Sequence, residues 1–107
     1  MLNYLIGKGA DLNFQDKIGY SALHFASQNN HVGITEILIN NGAELNIKDV
    51  YGNPPIWTAI FNAKENFSIV KMLLVKDVDI TSKNHYGKSP KDIWFLKYNT
   101  DIEDLLK

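Results

Sequence analysis

Three stretches of this chain follow one pattern: Asp16-Lys17-Ile18-Gly19-Tyr20-Ser21-Ala22-Leu23-His24, Asp49-Val50-Tyr51-Gly52-Asn53-Pro54-Pro55-Ile56-Trp57 and Asn84-His85-Tyr86-Gly87-Lys88-Ser89-Pro90-Lys91-Asp92. Their glycines stand 33 and then 35 residues apart. A period of this size marks one supersecondary unit per copy, too small to bury its apolar side alone and stable only when stacked on neighbours. Such a stack offers an extended surface rather than a catalytic cleft.

Each copy opens with Asp or Asn, two variable residues and a glycine, the composition of a tight hairpin-like loop whose glycine takes positive φ. A helix start follows at Ser21-Ala22, Asn53-Pro54-Pro55 and Ser89-Pro90. A hydroxyl or amide there can accept an orphan backbone N–H, and proline at the first helical position sacrifices no bond. The first helix of each copy is expected over Ala22 to Gln28, Pro55 to Asn62 and Pro90 to Lys97. A second helix follows, its apolar stripe drawn from Ile34, Ile37 and Leu38, from Ile69, Met72 and Leu73, and from Ile102, Leu105 and Leu106. Gly42 suits the left-handed position after the first of these, whereas the next copy has Lys76-Asp77 there. The 35-residue spacing puts two extra residues near Ala63-Lys64-Glu65, in the turn joining two helices, where they leave the stacking stripes in phase.

Composition narrows the function further. With 107 residues, 45% of them hydrophobic, and a formal charge of −1, the sequence reads as one globular domain with a modest core. Near-neutral charge without a basic run argues against nucleic acid as a partner. The absence of cysteine excludes a disulfide framework, thiolate zinc sites and a cysteine nucleophile, and suits a reducing cytoplasm. No stretch approaches the roughly 18 to 20 apolar residues of a membrane span, so no membrane association is expected. No cofactor is expected, and no Ser–His–Asp set, phosphate loop or acid pair falls on converging elements, so the expectation is a non-enzyme.

The hairpin with Asp and Gly, Ser21-Ala22-Leu23-His24-Phe25-Ala26, the second helix and Gly42-Ala43-Glu44-Leu45-Asn46 together resemble the ankyrin repeat. That resemblance implies an all-α ankyrin-repeat solenoid forming a single domain over 1–107. Residues 1–8 are then a partial unit, 9–41 and 42–76 full repeats, and 77–107 a capping repeat. Trp57 replaces the family's histidine, which puts the usual histidine-to-backbone bonds of the second unit in question. His24 and His31 are taken as structural. Trp94-Phe95 replaces the small residues of the inner units, and both are expected to bury against the second unit and close the stack as a terminal cap with Lys91, Asp92, Lys97, Asp101 and Asp104 facing solvent. The chain opens in mid-unit, so Leu2, Leu5 and Ile6, with Leu23 and Phe25, lack an upstream neighbour. Self-association as a homodimer through that end, or fraying of residues 1 to 8, is expected.

Aligned copies give three rows at the hairpin tips: Ile18, Tyr51 and Tyr86; Lys17, Val50 and His85; Gln15, Lys48 and Lys83. In the family, tips and the exposed side of the first helix form the concave partner-binding surface, which adds Tyr20, Asn53, Phe61 and Lys88. Trp57 stands between core filler and interface anchor, and each tyrosine between interface contact and packing on the next hairpin. Tyrosine gives large contact area at small entropic cost. Lysines outnumber the tip aspartates, so a protein partner with an acidic patch is expected. Resemblance to small stand-alone bacterial ankyrin proteins implies an immunity or antitoxin protein; the alternative is a fragment of a larger ankyrin scaffold or regulatory protein.

Overall fold

The computed structural model describes residues 12–106. The fraying expected of residues 1–8 and the Leu2, Leu5 and Ile6 part of the expected homodimer face lie outside that range; of the other two residues of that face, Leu23 is buried and Phe25 exposed. Among the described residues five α-helices form, α1 Ala22–Gln28, α2 Val32–Asn40, α3 Pro55–Phe61, α4 Ser68–Leu74 and α5 Pro90–Tyr98, with a 3₁₀ helix at Ile102–Leu106. Among the described residues none is in a β-strand. The fold is an all-α solenoid in two layers. α1 packs on α3 and α3 on α5, while α2 packs on α4 and α4 on the 3₁₀ helix.

The helices begin where their caps put them. Ser21 accepts from the His24 N–H, and Ser89 accepts from the Asp92 N–H while the Asp92 carboxylate accepts from Ser89 N. Pro90 occupies the first turn of α5, where a missing N–H costs nothing. In the second unit the cap is Pro54 rather than Asn53, and it supplies no side-chain bond. The inserted turn between α3 and α4 closes with Lys64 and Glu65 both at positive φ. Gly42 (φ +84°) and Asp77 (φ +59°) occupy equivalent left-handed positions after α2 and α4.

The core runs between the layers, from Leu23, Ala26 and Leu38 through Ile56, Ile60, Ile69 and Leu73 to Ile93, Trp94 and Ile102. Removing such side chains from water stabilises by about 1.5–3 kcal/mol each. Three expectations about it need correction. On α2 the buried positions are Thr35 and Leu38, while Ile34 is exposed. Thr35 can take a core position because its hydroxyl donates to the His31 carbonyl at 2.8 Å. The last element is a 3₁₀ helix, with three residues per turn, so Ile102 and Leu105 share the inner side and Leu106 rotates out to solvent. Phe95 does not bury with Trp94: it is 51% exposed against 3%. Trp94 faces back toward the second unit, with Phe67 at 5.0 Å and Tyr98 at 4.4 Å between ring centroids, whereas Phe95 occupies the onward-facing position that Ser27 and Ile60 fill in the inner units.

Candidate functional site

Each hairpin is fixed by one acidic or amide side chain. Asp16 Oδ1 accepts from the N–H groups of Ile18 and Tyr20, Asp49 Oδ1 from Tyr51 and Asn53, and Asn84 Oδ1 from Tyr86 and Lys88. An oxygen fixed two and four residues before its donors closes a loop that the backbone alone leaves open. Adjacent tips are then joined main chain to main chain, Val50 N–H to Ile18 C=O at 3.0 Å and His85 N–H to Tyr51 C=O at 2.9 Å. These bonds bring the expected rows together.

Along the first row Tyr51 is 46% and Tyr86 72% exposed, their rings stacked with centroids 6.5 Å apart, and Ile18 and Val50 are exposed beside them. Each ring rests on its neighbour and still presents a face to solvent. Lys17, His85 and Lys88 are exposed as well. Lys48 and Lys83 are exposed but engaged. Lys48 Nζ donates to Ser82 Oγ at 2.6 Å, and Lys83 Nζ binds the Asp92 carboxylate at 2.9 Å. Asp92 is held at a pKa of about 2, first by the Ser89 backbone N–H and then by Lys83.

Asn53 is no surface contact. It is 7% exposed, and its Oδ1 accepts from Asn84 Nδ2 at 2.8 Å, so it ties two hairpins together from within. Tyr20 is half-buried between His24, stacked at 5.0 Å, and Phe25, edge-on at 5.1 Å. Burial is the largest cause raising its phenol pKa, followed by the Asp49 carboxylate. Trp57 is partly buried and lies flat against exposed Phe61, 5.3 Å between centroids and 11° between planes. Its indole N–H is buried without a partner. Phe25, expected to lack an upstream neighbour, is exposed beside Tyr20, and the aligned rows omit it because its position varies among the copies as Thr58 and Ile93.

His24 shows what Trp57 replaces. Its Nδ1 accepts from the Ser21 N–H, so Nε2 carries the proton and donates to the Asn53 carbonyl, 2.8 Å away in the next unit. The ring is fully buried. Burial lowers its pKa, opposed by the bond to Asn53 and the carboxylates of Asp49 and Asp16. His31, at the start of α2, makes no capping bond through its side chain. Lys97 is exposed as expected and in addition donates to the carbonyls of Ile60 and Phe61 at the end of α3. Among the described residues no group of three histidines or carboxylates is placed to hold a metal.

Paired hairpins, helix layers and the bridging histidine give the architecture, and the sequence comparison agrees with it: residues 1–84 match ankyrin repeats in three copies. The chain belongs to the ankyrin-repeat family. It is similar to an ankyrin repeat protein of fowlpox virus, 32% identical over 110 residues, covering 100% of this chain and 31% of that protein. An ankyrin repeat protein of Rickettsia bellii is 31% identical over 94 residues, covering 83% of this chain and 38% of its own. Human ankyrin repeat and SOCS box protein 6 is 31% identical over 87 residues, covering 79% and 20%. The chain thus spans about a fifth to two fifths of the length of these relatives. Ankyrin repeats are in general non-catalytic modules of protein–protein interaction, and among the described residues no helix is long and apolar enough to cross a membrane.

Proposed function

We propose that this ankyrin stack binds a folded protein through its hairpin tips and the adjoining concave face of the first helices. The observation that carries the reading is the exposed row of Ile18, Val50, Tyr51 and Tyr86 on tips bonded to one another through the main chain. Groups already ordered before docking lose little entropy when a partner arrives, so a modest row can hold a partner usefully. Trp57 and Phe61 extend the apolar surface. Lys17, Lys48 and Lys88, with Lys83 partly offset by Asp92, favour an acidic patch on the partner, an attraction that acts mainly on association rate. In its most specific form the partner is a toxin, the chain its immunity protein and the cytoplasm their meeting place. A second reading is favoured by the greater length of the relatives: the same surface working as part of a larger scaffold or regulatory protein.

The test is capture of partners from the source cells by the chain and by the combined Ile18→Ala, Tyr51→Ala and Tyr86→Ala variant. The proposal expects the variant to lose at least tenfold in capture with an unchanged helical circular dichroism spectrum. Equal capture by both proteins would sink it.

A further inference from the structure

The three hairpin glycines differ in what lies against them. A Cβ on Gly19 would meet Asp49 Cα at 2.8 Å, and one on Gly52 would meet Asn84 Cα at 3.2 Å, because the next hairpin packs there. At Gly87 it would meet nothing within 4 Å. The same break appears in the tip bonds. The carbonyls of Ile18 and Tyr51 each accept an N–H from the following tip, whereas no group among the described residues donates to the third in the series, Tyr86 C=O.

The helical part of this end is built differently from the inner units. Asn13 and Asn46 accept from the backbone of the following unit, but Thr81 replaces them and its hydroxyl turns back to Asp79. Lys91 stands where Leu23 and Ile56 are buried, and Asp92 where His24 reaches forward. An element of the same kind would therefore find its hairpin edge ready and its helix contacts missing. Beside that edge runs a groove of about 310 Å³ lined by Gly87, Lys88, Lys91, Phe95, Leu96 and Asp101. Phe95 and Leu96 are exposed in it. Lys83 is neutralised by Asp92 and Lys91 lies 3.5 Å from Glu103, which leaves Lys88 the one ammonium of the groove with no carboxylate partner among the described residues.

We propose that this end groove binds an extended segment of a partner protein, whose main chain donates to Tyr86 C=O, whose apolar side chain covers Phe95 and Leu96, and whose carboxylate meets Lys88. Main-chain pairing to an exposed edge with alternate side chains supplying specificity is a recurring mode of peptide recognition. The inference rests on the chain being a protein-binding module; it shares Tyr86 and Lys88 with the tip row but makes no use of Tyr51, Trp57 or Phe61.

The test is selection from a random twelve-residue peptide library on phage against the whole immobilised chain, followed by fluorescence polarisation of the enriched peptides. Acidic sequences with a large apolar residue should be enriched. Lys88→Glu with Leu96→Glu should weaken them at least tenfold, while Tyr51→Ala with Phe61→Ala should leave them unchanged. Methylating a single peptide amide nitrogen should cost a similar factor. Both substituted positions of the end groove are exposed, so the melting midpoint should stay in place. The proposal is overturned if no acidic sequence is enriched, if binding depends on Tyr51 and Phe61 instead, or if sedimentation shows a second copy on this face that Leu96→Glu removes. Each of these results leaves the capture test of the tip row standing separately.

Discussion

Two seams hold the described units together, and they do the same work with different chemistry. At the first, His24 Nε2 donates to Asn53 C=O, Gln15 Nε2 to Lys48 C=O, and Asn30 Nδ2 to Asn62 C=O. At the second, Asn84 Nδ2 donates to Asn53 Oδ1, Lys48 Nζ to Ser82 Oγ, and Lys97 Nζ to Ile60 C=O. Only the tip-to-tip backbone bond and the Asn13 and Asn46 acceptors recur in both. What the stack requires is a donor at a given place. A buried imidazole, a carboxamide or a long ammonium can each provide it.

The largest expected effect separates the seams by their packing. Trp94 fills the second seam against Phe67 and Tyr98, so Trp94→Ala should lose about 3 to 5 kcal/mol in urea unfolding. A loss under about 1 kcal/mol would mean that aromatic packing does not hold this seam. Next comes the bridging position. His24→Phe leaves the Ser21 N–H without its ring partner and removes one of two bonds to Asn53 C=O, the other coming from Asp49 N–H, so it should cost about 1.5 to 3 kcal/mol. Trp57→Phe removes an N–H that has no partner and the smaller ring of a partly buried indole while keeping an aromatic face for Phe61, and should change stability by less than about 1 kcal/mol. Equal costs for the two would break the comparison.

Acid should sharpen it. The folded pKa of His24 lies below its unfolded value, chiefly through burial, so the unfolded chain takes up the proton first. Stability from this residue is complete above the unfolded histidine pKa of about 6.5 and declines as pH falls below it toward the folded value. A melting midpoint followed from pH 7.5 to 5 should fall, and His24→Phe should flatten the part of that fall below about pH 6.5. An identical profile in the variant would remove His24 from the account.

Much of this architecture was legible in the sequence. The period, the Asp and Gly of the hairpins, the caps Ser21 and Ser89 and the inserted turn are local signals, and each first helix ends within one residue of where its pattern places it. The substitution of Trp57 for histidine correctly marked a missing bridge. What failed depends on which way a position faces in the stack. Asn53 reads as a polar surface residue until Asn84 is seen to bond it from the next hairpin. Phe95 reads as core because Trp94 beside it is core, yet neighbouring helical residues point to different units. Lys97 is solvent-exposed as it reads, but its added reach across the seam to Ile60 is a contact 37 residues away that no local pattern encodes.

The central claim is that both seams lock the tips, and so hold the candidate binding row in register. Native-state hydrogen exchange at the Val50 and His85 amides tests it most directly, since these two N–H groups are the tip bonds themselves. The account predicts protection at both amides in the parent chain approaching that of the core helices, with Val50 losing more protection than His85 in His24→Phe. Exchange of both amides at the rate of an unstructured peptide would contradict it.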